Sequence, residues 1–179
     1  MRQVSKKRGE VFFPSFFFLG MVAVSIEDAT KHLNALRSLE GYTPPFEVIG
    51  NYRLIDDGKR PEATILIRAH GEEMHEASTG VGPVDALAKV LKKSLLPLFP
   101  ALAEVKLIDF SSRIFDPRAG TEARVEVRII FSNGRKIWQV YAFSENINKA
   151  SFLALLDGFE YAILLSQGDD FSSASEGRT

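Results

Sequence analysis

A chain of 179 residues, 45% hydrophobic and 25% charged, has the makings of one globular domain with a packed core. Its formal net charge of −1 supplies no field that would draw it to nucleic acid or to acidic lipid, so neither is expected as a partner. It has no cysteine, which excludes disulfides and thiolate metal sites and fits a reducing compartment; a cytoplasmic location is expected.

The opening residues, MRQVSKKRGEVFFPSFFFLGMVAV, join a basic start to an apolar run in the manner of an export signal. Pro14 interrupts that run, the run is short for a membrane span, and no small-x-small cleavage site follows it. Residues 1–24 are therefore expected to be a peripheral extension: a disordered apolar tail, or an over-extended start ahead of Met21.

In SIEDATKHLNALRSLEG, Ser25 is placed to cap a helix, with Asp28 three residues on as in a capping box. Ile26, Ala29, Leu33 and Leu36 recur at helical spacing, and Gly41 ends the run. Pro44 and Pro45 forbid helix, so residues 25–44 read as a helix and a stiff linker.

From Phe46 the chain reads as a repeat. FEVIGNYRLID is a strand, and EATILIRAH is a second, with Ala63, Ile65, Ile67 and Ala69 on one face and Thr64, Arg68 and His70 on the other. EMHEAST is a third, and a helix follows whose apolar stripe is Val84, Leu87, Ala88, Leu91 and Leu95. Pro97 and Pro100 stop it. The second half repeats this order. VKLIDFSSRIF is a strand; in ARVEVRIIF, Val125, Val127 and Ile129 point inward and Arg124, Glu126 and Arg128 outward. Ser132 to Gly134 make a hairpin turn, KIWQVYAFS is the third strand, and a helix carries Phe152, Leu155, Leu156, Phe159 and Ile163 at the spacing of the first stripe. The fold class expected is α+β: two pseudo-symmetric βββα units with mainly antiparallel sheets over residues 45–167, preceded by one helix. The polar stretch GDDFSSASEGRT, residues 168–179, reads as a disordered tail.

Chemistry-bearing residues are few. His70 and His75 can meet across a hairpin, but with His32 they read as scattered, solvated residues, and no metal site or cofactor is expected. Asp56-Asp57-Gly58 reads as a turn, and no phosphate-binding glycine loop or nucleophile–base set is present. The stretch STGVGPVDALAKVL is different. Gly80 and Gly82 allow a sharp turn, Pro83 suits the first helical position, and the free N–H groups of that turn can hold a carboxylate. Asp85 can pair with an ammonium; equally, an acid in a first helical turn is favourable with no ligand at all.

Several segments resemble a known family. GVGPVDALAKVL is similar to the motif that opens the first helix of the C-terminal regulatory domain of 2-isopropylmalate synthases and citramalate synthases. RAGTEARVEVRI resembles that domain's G-T-x-A-x-V-x-V segment, WQVYAFSENINKASFLALLDGFEYAIL its citramalate-type ending, and GYTPPFEVIGNYRL the linker and strand before it. The family's domain is two βββα units. The resemblance implies dimerisation and binding of a branched-chain amino acid, leucine or isoleucine, at a niche built from Gly80, Gly82, Pro83, Val84, Asp85, Ile108, Phe115, Thr121, Ala123, Val125, Ser144 and Asn146. Thr121 is suited to the ligand carboxylate; Ile108, Phe115 and Val125 can shape an apolar niche or serve as plain core; Ser144 and Asn146 can contact ligand or simply cap the second helix. Two departures stand out. The family's catalytic TIM barrel has no room ahead of Gly41, so a freestanding regulatory domain without catalysis is expected, acting on a separately encoded catalytic subunit. Ala142 and Phe143 stand where many members have glycine and a small aliphatic residue, so a tighter entrance to the second helix is expected.

Overall fold

The structure is a computed structural model that describes residues 16–19, 22–115 and 124–176, with side chains described between residues 25 and 168. Strands β1 (Phe16–Leu19) and β2 (Val22–Asp28) lead into helix α1 (Ala29–Arg37). The first unit follows as β3 (Glu47–Val48), β4 (Arg53–Ile55), β5 (Glu62–Ala69), β6 (Glu72–Thr79) and α2 (Pro83–Leu95). A 3-10 turn (Pro100–Glu104) leads to the second unit: β7 (Lys106–Ile114), β8 (Val125–Ser132), β9 (Ile137–Ser144) and α3 (Ile147–Glu176). The α+β class and the duplication are as the residue pattern implies.

Each unit keeps one strand in the middle, β5 in the first and β8 in the second. In the first, β3 and β4 share one edge of β5 while β6 pairs along the other, all antiparallel. The expected single strand from Phe46 is broken, because Gly50 adopts a left-handed φ of 73° that turns the chain out of the ladder. In the second unit, β7, β8 and β9 form an antiparallel meander. Its sheet continues through a parallel pairing of β2 with β9, for the order β1-β2-β9-β8-β7.

The β2 pairing corrects the first helix. Ser25 sits in β2 and is not the cap. Asp28 is the N-cap, its carboxylate accepting from the Lys31 N–H at 3.2 Å. Ile26 belongs to the strand, opposite Ile137. At the other end α3 continues to Glu176, into the stretch whose composition reads as a tail.

One core joins the halves. Helix α2 covers β5 and β6, α3 covers β8 and β9, and the two helices pack on each other. Leu87, Leu91 and Leu95 from α2, Leu155 and Ile163 from α3, Ile65 and Ile67 from β5, and Ile129 and Trp138 from the second sheet are all fully buried. Both helical stripes do what their spacing predicts: each buries an apolar face against its own sheet.

Candidate functional site

The start of α2 is a tight piece of backbone. Gly80 ends β6, its N–H donating to the Pro61 carbonyl at 2.9 Å, and it is buried beneath the first helical turn. A Cβ there would lie 2.8 Å from the Ala86 Cα and 2.9 Å from the Asp85 carbonyl carbon, so only glycine fits. Gly82 is the N-cap in extended backbone, offers no side-chain cap, and has open space around it. Pro83 takes the first helical position, where its missing N–H is harmless. Val84 is half-buried against the core, whereas Val81 is 88% exposed.

Asp85 folds back over this turn. Its Oδ2 accepts from the Val81 N–H at 2.9 Å and from Lys89 Nζ at 2.7 Å. Partial burial pushes the carboxyl up, but the hydrogen bonds from Lys89 and Val81 and the charge of Lys89 outweigh it and hold the group below the usual carboxylate range. The stretch KVLKK reads in the sequence as a solvated helix face, and the i, i+4 spacing is the signal that ties its Lys89 to Asp85.

The other helix starts are capped. At α3 the Asn146 Oδ1 accepts from the Asn148 and Lys149 N–H groups at 2.8 and 3.2 Å. Ser144 Oγ accepts from the Asn146 N–H at 3.4 Å, so Asn146 rather than Ser144 is the cap. With Asp28 capping α1, α2 alone among these three starts has first-turn N–H groups without a capping side chain. A cavity of about 650 Å³ opens beside the α3 start, lined among others by Asn146, Lys149 and Leu153 on one side and Asn51 and Tyr52 on the other. Its lining does not include Gly80 to Asp85.

The remaining candidates lie along the second sheet. Ile108 and Phe115 are 52% and 57% exposed, so neither is core, while Val125 is half-buried against the core. The Phe115 N–H donates to the Arg124 carbonyl at 2.7 Å, and its ring meets that of Phe143 edge-on at 5.1 Å. Ala142, beside Phe143, is buried. Thr121 and Ala123 fall outside the described residues. The structure thus joins Val81, Asp85 and Lys89 in one group, Ser144 and Asn146 in a second, and Phe115 and Phe143 in a third.

A further cluster locks α1 to α3. Arg37 bonds Asp157 at 2.7 Å and Glu160 at 2.5 Å, and the Tyr42 hydroxyl donates to Glu160 at 2.6 Å. Burial pushes the Asp157 carboxyl above the usual range, with Arg37 opposing and Glu160 adding to it. Tyr161 likewise donates to Glu27 on β2 at 2.7 Å. Among the described residues no group of three or more His, Cys, Asp or Glu side chains is placed to hold a metal ion. No described helix is long and apolar enough to cross a membrane.

Two βββα units that share a core through paired helices, with one glycine-bracketed helix start left uncapped, define a duplicated α+β domain. The family model of the LeuA allosteric (dimerisation) domain matches residues 29–163, and the chain belongs to that family. It is similar to an (R)-citramalate synthase of Geobacter sulfurreducens, 36% identical over 146 residues covering 78% of this chain and 28% of that protein. It is 41% identical to an (R)-citramalate synthase of Aquifex aeolicus over 103 residues, 58% of this chain and 20% of that protein. A 2-isopropylmalate synthase of Geobacillus sp. is 31% identical over 163 residues, 90% of this chain and 27% of the relative. The chain therefore spans less than a third of the length of these curated relatives.

Proposed function

We propose that this domain is a dimerising, amino-acid-sensing module of the citramalate and 2-isopropylmalate synthase kind, working in the cytoplasm. It takes leucine or isoleucine and controls a synthase whose chemistry is carried by a separate catalytic subunit. Membership of the LeuA allosteric family supports the regulatory role. The uncapped start of α2 carries the assignment of the site, since its first-turn N–H groups and the helix dipole favour an α-carboxylate.

In this reading the effector carboxylate docks at Gly82 to Val84, and its ammonium takes the place of Lys89 on Asp85. The exchange is easy, because an exposed i, i+4 pair contributes only about 0.3–0.5 kcal/mol. The branched side chain lies against Val84; Ile108, Phe115, Val125, Ser144 and Asn146, which stand apart from the Asp85 group within one chain, complete the niche together with Thr121 and Ala123 from the second copy of the dimer. Gly80 serves by letting β6 pass close beneath the turn. Binding shifts the dimer between two arrangements by the difference in effector affinity for them, typically about 1–3 kcal/mol.

Calorimetry with leucine, isoleucine and valine tests this. Saturable heat from leucine or isoleucine that vanishes in Asp85→Ala supports sensing. One observation favours a second reading, an assembly module that only joins chains: Asp85 already has two partners in its own helix start. That reading requires a folded dimer that gives no heat with any of the three amino acids.

A further inference from the structure

Strand β7 is the end strand of its sheet, pairing with β8 along one side only, so its other side carries a row of unpaired backbone groups among the described residues. It is nine residues long. Large apolar side chains stand exposed along it: Leu107, Ile108 and Ile114, with Phe115 immediately after. An edge of this length and exposure invites pairing with another chain unless something blocks it.

The order of residues says which chain. From Leu107 to Phe115 the sequence is LIDFSSRIF, and about Ser111 it is nearly self-complementary. We propose that β7 is the seam of the homodimer: two copies pair antiparallel along this edge, centred on Ser111, and join their five-stranded sheets into one. In that register Asp109 of each copy faces Arg113 of the other, Ile108 faces Ile114, Leu107 faces Phe115 and Ser111 faces itself. The two opposite charges meet twice and the exposed apolar residues meet each other. In a parallel in-register pairing Asp109 would face Asp109 and Arg113 would face Arg113, so the charges select the antiparallel arrangement. Asp109 and Arg113 already pair across to β8, with Arg128 at 3.3 Å and Glu126 at 2.8 Å, which holds them on the same sheet face. The bulge in the β7–β8 register falls between Leu107 and Asp109, at Ile108, so the regular run from Asp109 to Ile114 carries the Asp109–Arg113 and Ser111 pairs, and the outer Ile108–Ile114 and Leu107–Phe115 pairs lie at its bulged end.

This inference rests on the homodimer proposed above and adds its geometry. It would also set Ile108 and Phe115, two of the apolar niche candidates, beside the second copy, which gives effector binding a direct route to the interface.

Ser111→Cys in the full chain tests it, because the chain has no cysteine of its own. Residues facing each other across antiparallel strands have Cα atoms about 4.5–5.5 Å apart, within disulfide reach. Mild oxidation is expected to give a reducible, covalent dimer at least about tenfold faster than with Ser112→Cys, which does not face itself, or with Thr64→Cys on the other sheet. Sedimentation should show the dissociation constant of Ile114→Asp raised about tenfold or more, with an unchanged circular dichroism spectrum. A wild-type dimer whose Ser111→Cys form cross-links no faster than the controls overturns the seam and leaves the homodimer standing on another surface. A chain that sediments as a monomer throughout overturns both.

Discussion

Gly80 lies so close under Ala86 that the end of β6 and the first turn of α2 touch backbone to backbone; an added Cβ would come within 2.8 Å of the Ala86 Cα. The neighbour in the way is main chain inside a helix, which cannot rotate aside. Gly80→Ala is expected to destabilise the domain by about 1–3 kcal/mol, as overpacking does. Gly82→Ala, in extended backbone with open space around it, should shift stability by no more than about 0.5 kcal/mol. Urea unfolding of both variants checks this; equal midpoints would contradict the packing role.

A similar close contact lies on α3. A Cβ on Gly158 would lie 2.8 Å from Cδ2 of the buried Phe131 ring and closer still to the ring's outer atoms, and the Gly158 carbonyl accepts from Trp138 Nε1 at 3.2 Å. Phe131 stacks on Trp138 with ring centroids 5.8 Å apart, so it has little room to move away. Gly158→Ala should therefore cost about 1–3 kcal/mol and change the emission of Trp138, the chain's one tryptophan. Unaltered emission and stability would show that the ring gives way.

The Arg37 cluster predicts a pH dependence of unusual sign. Burial raises the Asp157 carboxyl above its unfolded value despite Arg37. A raised carboxyl contributes stability fully below the unfolded value, about 3.9, and loses it as the pH climbs through the folded one. Measured against Asp157→Asn, the wild type should thus lose relative stability as pH rises through that window; a gain would contradict the assignment. Arg37→Met leaves Asp157 and Glu160 without their shared cation and should cost about 1–3 kcal/mol, discounted because Arg37 is partly exposed. Carboxyl chemical shifts should then show Asp157 titrating higher still.

Lys89 gives a graded test of the site at α2. It is the resident cation on Asp85, so Lys89→Met should raise affinity for leucine or isoleucine about twofold, the worth of one exposed i, i+4 pair. Unchanged or weaker binding would mean that the effector ammonium does not use Asp85.

Much of the fold was legible because burial imposes local periods. Ala63, Ile65, Ile67 and Ala69 alternate and are all buried, and the stripe from Leu87 to Leu95 recurs at helical spacing. The break at Gly50 was hidden because Val48 and Leu54 keep the same strand phase on either side of it, so only the left-handed φ reveals the turn. Ser25 misled because β2 pairs with a strand more than a hundred residues away, a contact that no local pattern encodes. The uncapped turn at Gly82 follows from residue type, whereas Ser144 and Asn146 are both suited to cap α3 and only the hydrogen bonds from Asn148 and Lys149 choose Asn146. The exposure of Ile108 on an end strand depends on topology, which no local pattern encodes.

The most direct test is a titration of the ¹⁵N-labelled protein with leucine and with isoleucine, followed amide by amide. The account predicts saturable shifts centred on Gly82, Val84 and Asp85, where the uncapped N–H groups would meet a carboxylate, and their loss in Asp85→Ala. Shifts centred elsewhere, or none at millimolar amino acid in a well-folded sample, would contradict it.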